Sequence, residues 1–198
     1  MTRVLLLVLV LAAVSGASLW LITRQPATNL PVYWSVPDFT LVAASGKPFS
    51  RSDVAGNVWV ADFIFTHCAG TCPVMSVQMA RVDQELAKRL GATPPVRLVS
   101  ISVDPDRDTP AVLDDYSRKF GASERWSFLT GEREKIIELT KGFKLASGEE
   151  PSNEIVHSSK LVLVDRQNRI RGFYDGVEQA SVDQLIADAT ALARERVP

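Results

Sequence analysis

The chain opens with a run of apolar positions, Val4 to Ile22, interrupted only by Ser15, Gly16 and Ser18. A helix over these residues is roughly 28 Å long, enough to cross a hydrocarbon core. A secretory signal has a shorter apolar stretch before a small-residue cleavage site. Ala13-Val14-Ser15-Gly16-Ala17 offers small residues, but Leu19-Trp20-Leu21-Ile22 continues the run beyond them. The favoured reading is an uncleaved transmembrane anchor over 4–22 behind a short tail, 1–3, with a cleaved signal as the alternative. Residues 23–34, carrying Pro26 and Pro31, then read as a linker.

From 35 to 196 the pattern alternates between strand-like and helix-like periods. Asp38 to Val42 reads as a short strand and Ser45-Gly46-Lys47 as a turn. Asn57 to Phe65 is mostly apolar on both faces, as a central buried strand should be. Met75, Met79, Val82, Leu86 and Leu90 recur at helical steps after Pro73, which suits a first helical position. Val96 to Val103 is a further strand. Thr109-Pro110 reads as an N-cap and first turn of a helix reaching about Phe120. Glu134 to Phe143 is helical in pattern, Lys160–Asp165 and Ile170–Tyr174 form a hairpin, and Ser181 caps a last helix to Arg194. This order predicts an α/β domain with a central mixed sheet flanked by helices. A cysteine pair between a central strand and a helix matches a thioredoxin-like arrangement, with the loop at the carboxyl ends of the strands.

Charge changes the picture by exclusion. The net charge is −1, charged residues make up 23% and no long Lys/Arg block occurs, which argues against a nucleic-acid surface. No phosphate-cradling glycine loop or acyl-transfer motif is present. Arg3 and the amino terminus on one side of the apolar run, against Arg24 on the other, favour an inside N-terminus only slightly. The expected location is the cytoplasmic (inner) membrane, single-pass, with the domain on the periplasmic or extracellular side.

The chemistry concentrates in Thr66-His67-Cys68-Ala69-Gly70-Thr71-Cys72-Pro73, which holds both cysteines of the chain. Such a pair can close a small disulfide ring, clamp a soft metal or exchange disulfides with a partner. A four-residue offset constrains the unfolded chain little, so stapling is a poor explanation. Cys72 adjoins the expected helix start, where unpaired N–H groups and the helix dipole favour a thiolate. A zinc site would need further ligands, and there is no second cysteine pair. The two histidines differ. His67 adjoins Cys68, which makes joint ligation awkward and suits a hydrogen bond within the loop. His157 precedes the strand at Lys160, and from the residues alone a structural histidine and a ligand are equally good readings. Asp104, Asp106 and Asp108 suit turn and capping roles, with Asp104 expected nearest the cysteines. Met75 and Met79 fit core packing.

Three blocks closely resemble the signatures of the Sco/SenC family. They are Phe65 to Pro73, Ile101 to Pro110 (Ile-Ser-Val-Asp-Pro-Asp-Arg-Asp-Thr-Pro), and His157-Ser158, in the family's order. The resemblance spans roughly Val36 to Gly176. It implies a membrane-anchored, thioredoxin-like copper protein that helps assemble the dinuclear copper centre of cytochrome c oxidase. It also implies Cys68, Cys72 and His157 as the ligands of one copper ion, a set that suits the cuprous ion and accepts the cupric ion. Many members carry Asp immediately before the ligand histidine; Val156 stands there in this chain. The stretch between Phe143 and His157 is also compact.

The function expected from this is a copper metallochaperone whose partner is the copper-site subunit of the oxidase. A periplasmic copper donor or a thioredoxin-like reductant is a further expected partner. Oxidation of Cys68 and Cys72 to a disulfide would destroy the site. The alternative is a redox-active enzyme, a thiol–disulfide oxidoreductase that reduces the oxidase's copper-site cysteines. Three residues between the cysteines, and His157-Ser158-Ser159 where a thioredoxin has a proline, count against a general thioredoxin role.

Overall fold

The structure, a computed structural model, describes residues 28–91, 95–145 and 158–195. The expected anchor, the first part of the linker, Val156 and His157 lie outside the described residues. No helix among the described residues is long and apolar enough to cross a membrane.

Among the described residues seven strands form one mixed sheet, in the order β2-β1-β5-β4-β3-β6-β7. They are β1 (Thr40–Ala43), β2 (Pro48–Ser50), β3 (Val58–Ile64), β4 (Val96–Ser102), β5 (Trp126–Thr130), β6 (Lys160–Val164) and β7 (Ile170–Asp175). β3, β4 and β5 are parallel, with Val58 opposite Val96 and Leu98 opposite Trp126. β1 joins β5 and β6 joins β3 in antiparallel fashion. All seven residues of β3 are buried, so the apolar run on both faces does mark the central strand.

Among the described residues four α-helices cover the sheet: α1 (Thr71–Leu90), α2 (Pro110–Lys119), α3 (Arg133–Gly142) and α4 (Gln179–Arg194). On one face Val60, Ile64, Leu98 and Leu161 pack against Met75 and Met79 of α1, Leu113 of α2 and Leu185 of α4. On the other, Trp59, Phe63 and Ile101 pack against Ile136 and Leu139 of α3 and against Phe143. The methionines of α1 are therefore core residues, as their spacing suggests.

Two helix starts differ from expectation. α1 begins at Thr71 with Gly70 as its N-cap, so Cys72 lies inside the first turn and Pro73 occupies its third position. Proline is tolerated there because first-turn N–H groups have no intrahelical acceptor. α4 begins at Gln179, and Ser181 accepts a hydrogen bond from the Asp175 N–H rather than capping the helix. Thr109 does cap α2, accepting from the Val112 N–H, with Pro110 first in the helix.

Residues 28–36 lie against the sheet as a strap. Ser35 bridges Arg169, and Val36 N–H donates to the Asn168 carbonyl. Buried Arg171 donates to the carbonyls of Leu30 and Pro31 and to the Thr28 hydroxyl. Trp34 Nε1 donates to the Gly142 carbonyl at 2.8 Å, and a side chain at position 142 would collide with the Pro37 ring. Glycine at 142 thus lets the strap cross the end of α3.

Candidate metal centre

β3 ends at Ile64, and the chain turns through Phe65-Thr66-His67 into Cys68. The turn is pinned from beneath. Asp108, fully buried, accepts from the Thr66 N–H at 3.0 Å, the Thr66 hydroxyl at 2.5 Å and the Ser102 hydroxyl at 2.6 Å. Cys68 N–H closes back on the Phe65 carbonyl at 3.2 Å. The carboxylate that holds the cysteine loop is therefore Asp108, not Asp104. Asp104 begins a turn instead: its carbonyl accepts from the Arg107 and Asp108 N–H groups, and its carboxylate lies 3.6 Å from Arg107. Asp106 pairs outward with Arg133.

The two thiols are free and differ in setting. Cys72 is 1% exposed, facing the core beside Met75 and Met79, whereas Cys68 is half-buried ahead of the helix. Burial pushes the Cys72 thiol up to about 12, and the neighbouring Cys68 and buried Asp62 add to the rise. Burial also disfavours a charged Cys68, but N–H groups of Cys72, Gly70 and Thr71 and the Cys72 thiol outweigh it. The Cys68 thiol is thereby held below its ordinary range. The helix start does favour a thiolate, but at Cys68. Residues ahead of the helix meet its free N–H groups, and those inside the first turn do not.

His67 is largely exposed, with Nδ1 3.2 Å from the Thr66 hydroxyl and 4.0 Å from Asp108. It takes the loop hydrogen-bond role expected of it. Among the described residues, no group of three or more His, Cys, Asp or Glu side chains is placed to hold a metal ion. The described donor set is the thiol pair. The chain re-enters at Ser158, and Gly176 N–H fixes the Ser159 carbonyl at 2.7 Å. Because β6 runs antiparallel to β3, its start at Lys160 stands at the Ile64 end of the sheet, the cysteine end.

Asp62, in the middle of β3, is a group that pattern reading missed. It is wholly buried on the α1 side, where Ser100 donates to Oδ1 at 2.5 Å and Oδ2 has no partner among the described residues. Burial raises its carboxyl to about 7. Trp126 Nε1 in turn donates to Ser100 at 2.8 Å, and the Ser76 and Tyr116 hydroxyls pair at 2.9 Å. The available signal was the single acid inside Val-Trp-Val-Ala-Asp-Phe-Ile-Phe. An acid amid apolar residues on a buried strand must be neutralised or partnered.

Known proteins resemble this chain in sequence and fold. A SCO1 protein homolog of Bacillus subtilis is 36% identical over 163 residues, covering 80% of this chain and 82% of the relative. BsSco, described as a member of the Sco family of cytochrome c oxidase assembly proteins with a disulfide switch, superposes with a TM-score of 0.72 at 31% identity. That match covers 87% of this chain and 100% of BsSco. Arabidopsis thaliana ScoI, solved with copper bound, matches with a TM-score of 0.66 at 25% identity over 80% of this chain and 97% of its own. Residues 32–194 match the family described as SCO1/SenC, and the chain belongs to that family.

Proposed function

We propose that this chain binds copper and delivers it to the dinuclear copper site of cytochrome c oxidase during assembly, with Cys68, Cys72 and His157 as ligands. The observation that carries the reading is the unequal thiol pair at the carboxyl end of β3, one sulfur half-exposed and one buried. Two sulfur donors suit the soft cuprous ion, and a neutral imidazole completes a three-coordinate set. Cys68, the more acidic thiol, is the sulfur that meets incoming copper first. Cys72 then gives up its proton as its sulfur binds, so loading releases protons to solvent. Delivery is stepwise exchange, each donor of this chain leaving as a partner thiolate or imidazole binds. Asp108 keeps the loop in place throughout by holding Thr66.

The run Val4 to Ile22 anchors the chain, with the domain, residues 35–196, on the periplasmic or extracellular side of the membrane. A periplasmic copper donor and a thioredoxin-like reductant complete the cycle. Transfer of two electrons and two protons from the pair to a partner disulfide forms the Cys68–Cys72 bond and abolishes both sulfur donors.

The low range of Cys68 favours a second reading, reduction of the partner's oxidised copper-site cysteines. The Cys68 thiolate attacks one partner sulfur, forming a mixed disulfide and freeing the other partner sulfur as a thiolate. Cys72 then attacks Cys68, the second partner thiolate leaves, and the Cys68–Cys72 disulfide remains. Mixing the copper-loaded full chain with the reduced, metal-free partner subunit separates the readings. Copper should leave with the partner in stoichiometric amount. If copper stays behind, while the reduced metal-free chain converts the oxidised partner to its dithiol, the reductase reading replaces delivery.

A further inference from the structure

α1 is 20 residues long, so a sheet end roughly 30 Å from the cysteine loop stands at its other terminus. The structure closes that far end with cations. Lys88 and Arg89 end α1, Arg97 lies at the start of β4, Arg166 and Arg169 form the β6–β7 turn, and Arg194 ends α4. They belong to one surface: Arg194 donates to the Arg89 carbonyl at 3.0 Å, and Arg166 donates to the carbonyls of Leu192, Ala193 and Glu195.

Acids offset this surface only in part: Arg169 pairs with Asp165, and exposed Glu124 precedes β5 at the same end. Lys88 and Arg89 share one carboxylate, Glu85. Arg97 and Arg194 have no carboxylate partner among the described residues, and Glu195 is engaged by Thr28. Complementing helix dipoles accounts for Lys88, Arg89, Arg166 and Arg194. It does not account for Arg97, which is exposed at the start of a central strand.

A second observation concerns where the chain arrives. Thr28 is fixed at this same end, its N–H and hydroxyl on Glu195 and its hydroxyl also on Arg171. Six residue steps separate Ile22, the last of the apolar run, from Thr28. Fully extended they span at most about 20 Å. The tether thus keeps the basic end close to the membrane, while the cysteine loop stands about 30 Å farther along α1.

We propose that this basic end is the membrane-facing surface of the domain, docking on anionic phospholipid headgroups beside the anchor, so that Cys68 and Cys72 face away from the bilayer. The inference rests on reading Val4 to Ile22 as an anchor. Each Lys or Arg near an anionic surface adds attraction that falls off within a Debye length. The copper acceptor is then met at a fixed height above the membrane, not at its surface.

Energy transfer to labelled lipid headgroups tests this with the full chain in vesicles. One donor is attached at Cys68 in a Cys72→Ser chain, the other at Gln167→Cys in a Cys68→Ser, Cys72→Ser chain. In phosphatidylglycerol-containing vesicles, transfer from position 167 should exceed transfer from Cys68 by at least about twofold, given their separation. The difference should shrink in pure phosphatidylcholine, in high salt, and in a Lys88→Glu, Arg97→Glu chain. The salt and lipid comparisons need no charge variant, so a folding defect there does not decide the outcome. Retention through an alkaline wash reads the anchor separately. Loss of retention overturns anchor and docking together, whereas retention with equal transfer from both positions, or insensitivity to lipid charge and salt, overturns docking alone.

Discussion

Two buried carboxylates, at different places along the same sheet, are treated in opposite ways. Asp165, before the β6–β7 turn, accepts from the N–H groups of Gln167 and Arg169 and from the side chains of Arg169 and Arg171. Asp62, on the cysteine side, has one hydroxyl donor and an oxygen without a partner among the described residues. A satisfied carboxylate fixes structure; one left short of partners carries an ionisation that the fold must hold in check. The strap end of the domain is thus built to stay fixed, and the polar core behind the thiols is built close to a change of charge.

Removing Arg171 should give the largest effect on stability. Arg171→Ala leaves part of the Asp165 charge uncompensated and strands the Leu30 and Pro31 carbonyls, at a cost of about 3–5 kcal/mol. Urea unfolding of the variant measures it, and a loss under 1 kcal/mol would break the contrast. Asp62→Asn should act in the opposite sense. With its folded value raised from 3.8 to about 7, Asp62 keeps its proton longer in the folded state than in the unfolded one. Stability therefore falls as pH rises from about 4 to about 7 and stays flat above. Asn cannot ionise, so the variant should gain roughly 4 kcal/mol over the parent at pH 8 and little at pH 4. Parallel unfolding curves at the two pH values would contradict this.

The thiols sharpen the contrast further. Near pH 7.5 iodoacetamide should modify Cys68 at least about 100-fold faster than Cys72, because Cys72 is buried and remains protonated to about 12. Peptide mapping of the alkylated protein after short exposures reads the ratio. Equal rates would mean that the first turn of α1 does not separate the pair.

Much of this was legible in the sequence because period and residue type agreed. β3 is apolar on both faces and proved central; the methionine stripe of α1 proved to be core; Thr109-Pro110 proved to be a cap. β2 does not show in the sequence because three residues are too few for a period, and β5 does not because Ser127 interrupts its apolar run. Asp108 was misjudged against Asp104 because sequence distance from β4 says little about where a turn folds back. The carbonyl of Asp104 anchors the turn that carries Asp108 under Thr66. The helix-start effect expected at Cys72 falls on Cys68 because α1 starts at Thr71, two residues before Pro73.

The central claim is a three-ligand copper site, and a cuprous titration of the reduced full chain against a competing chelator tests it most directly. The parent should take up one tight equivalent, with affinity rising about tenfold per pH unit for each proton released as the thiols bind. His157→Ala should weaken binding by at least about tenfold while leaving the alkylation rate of Cys68 unchanged. If His157→Ala holds copper as tightly as the parent, the site is not built from Cys68, Cys72 and His157.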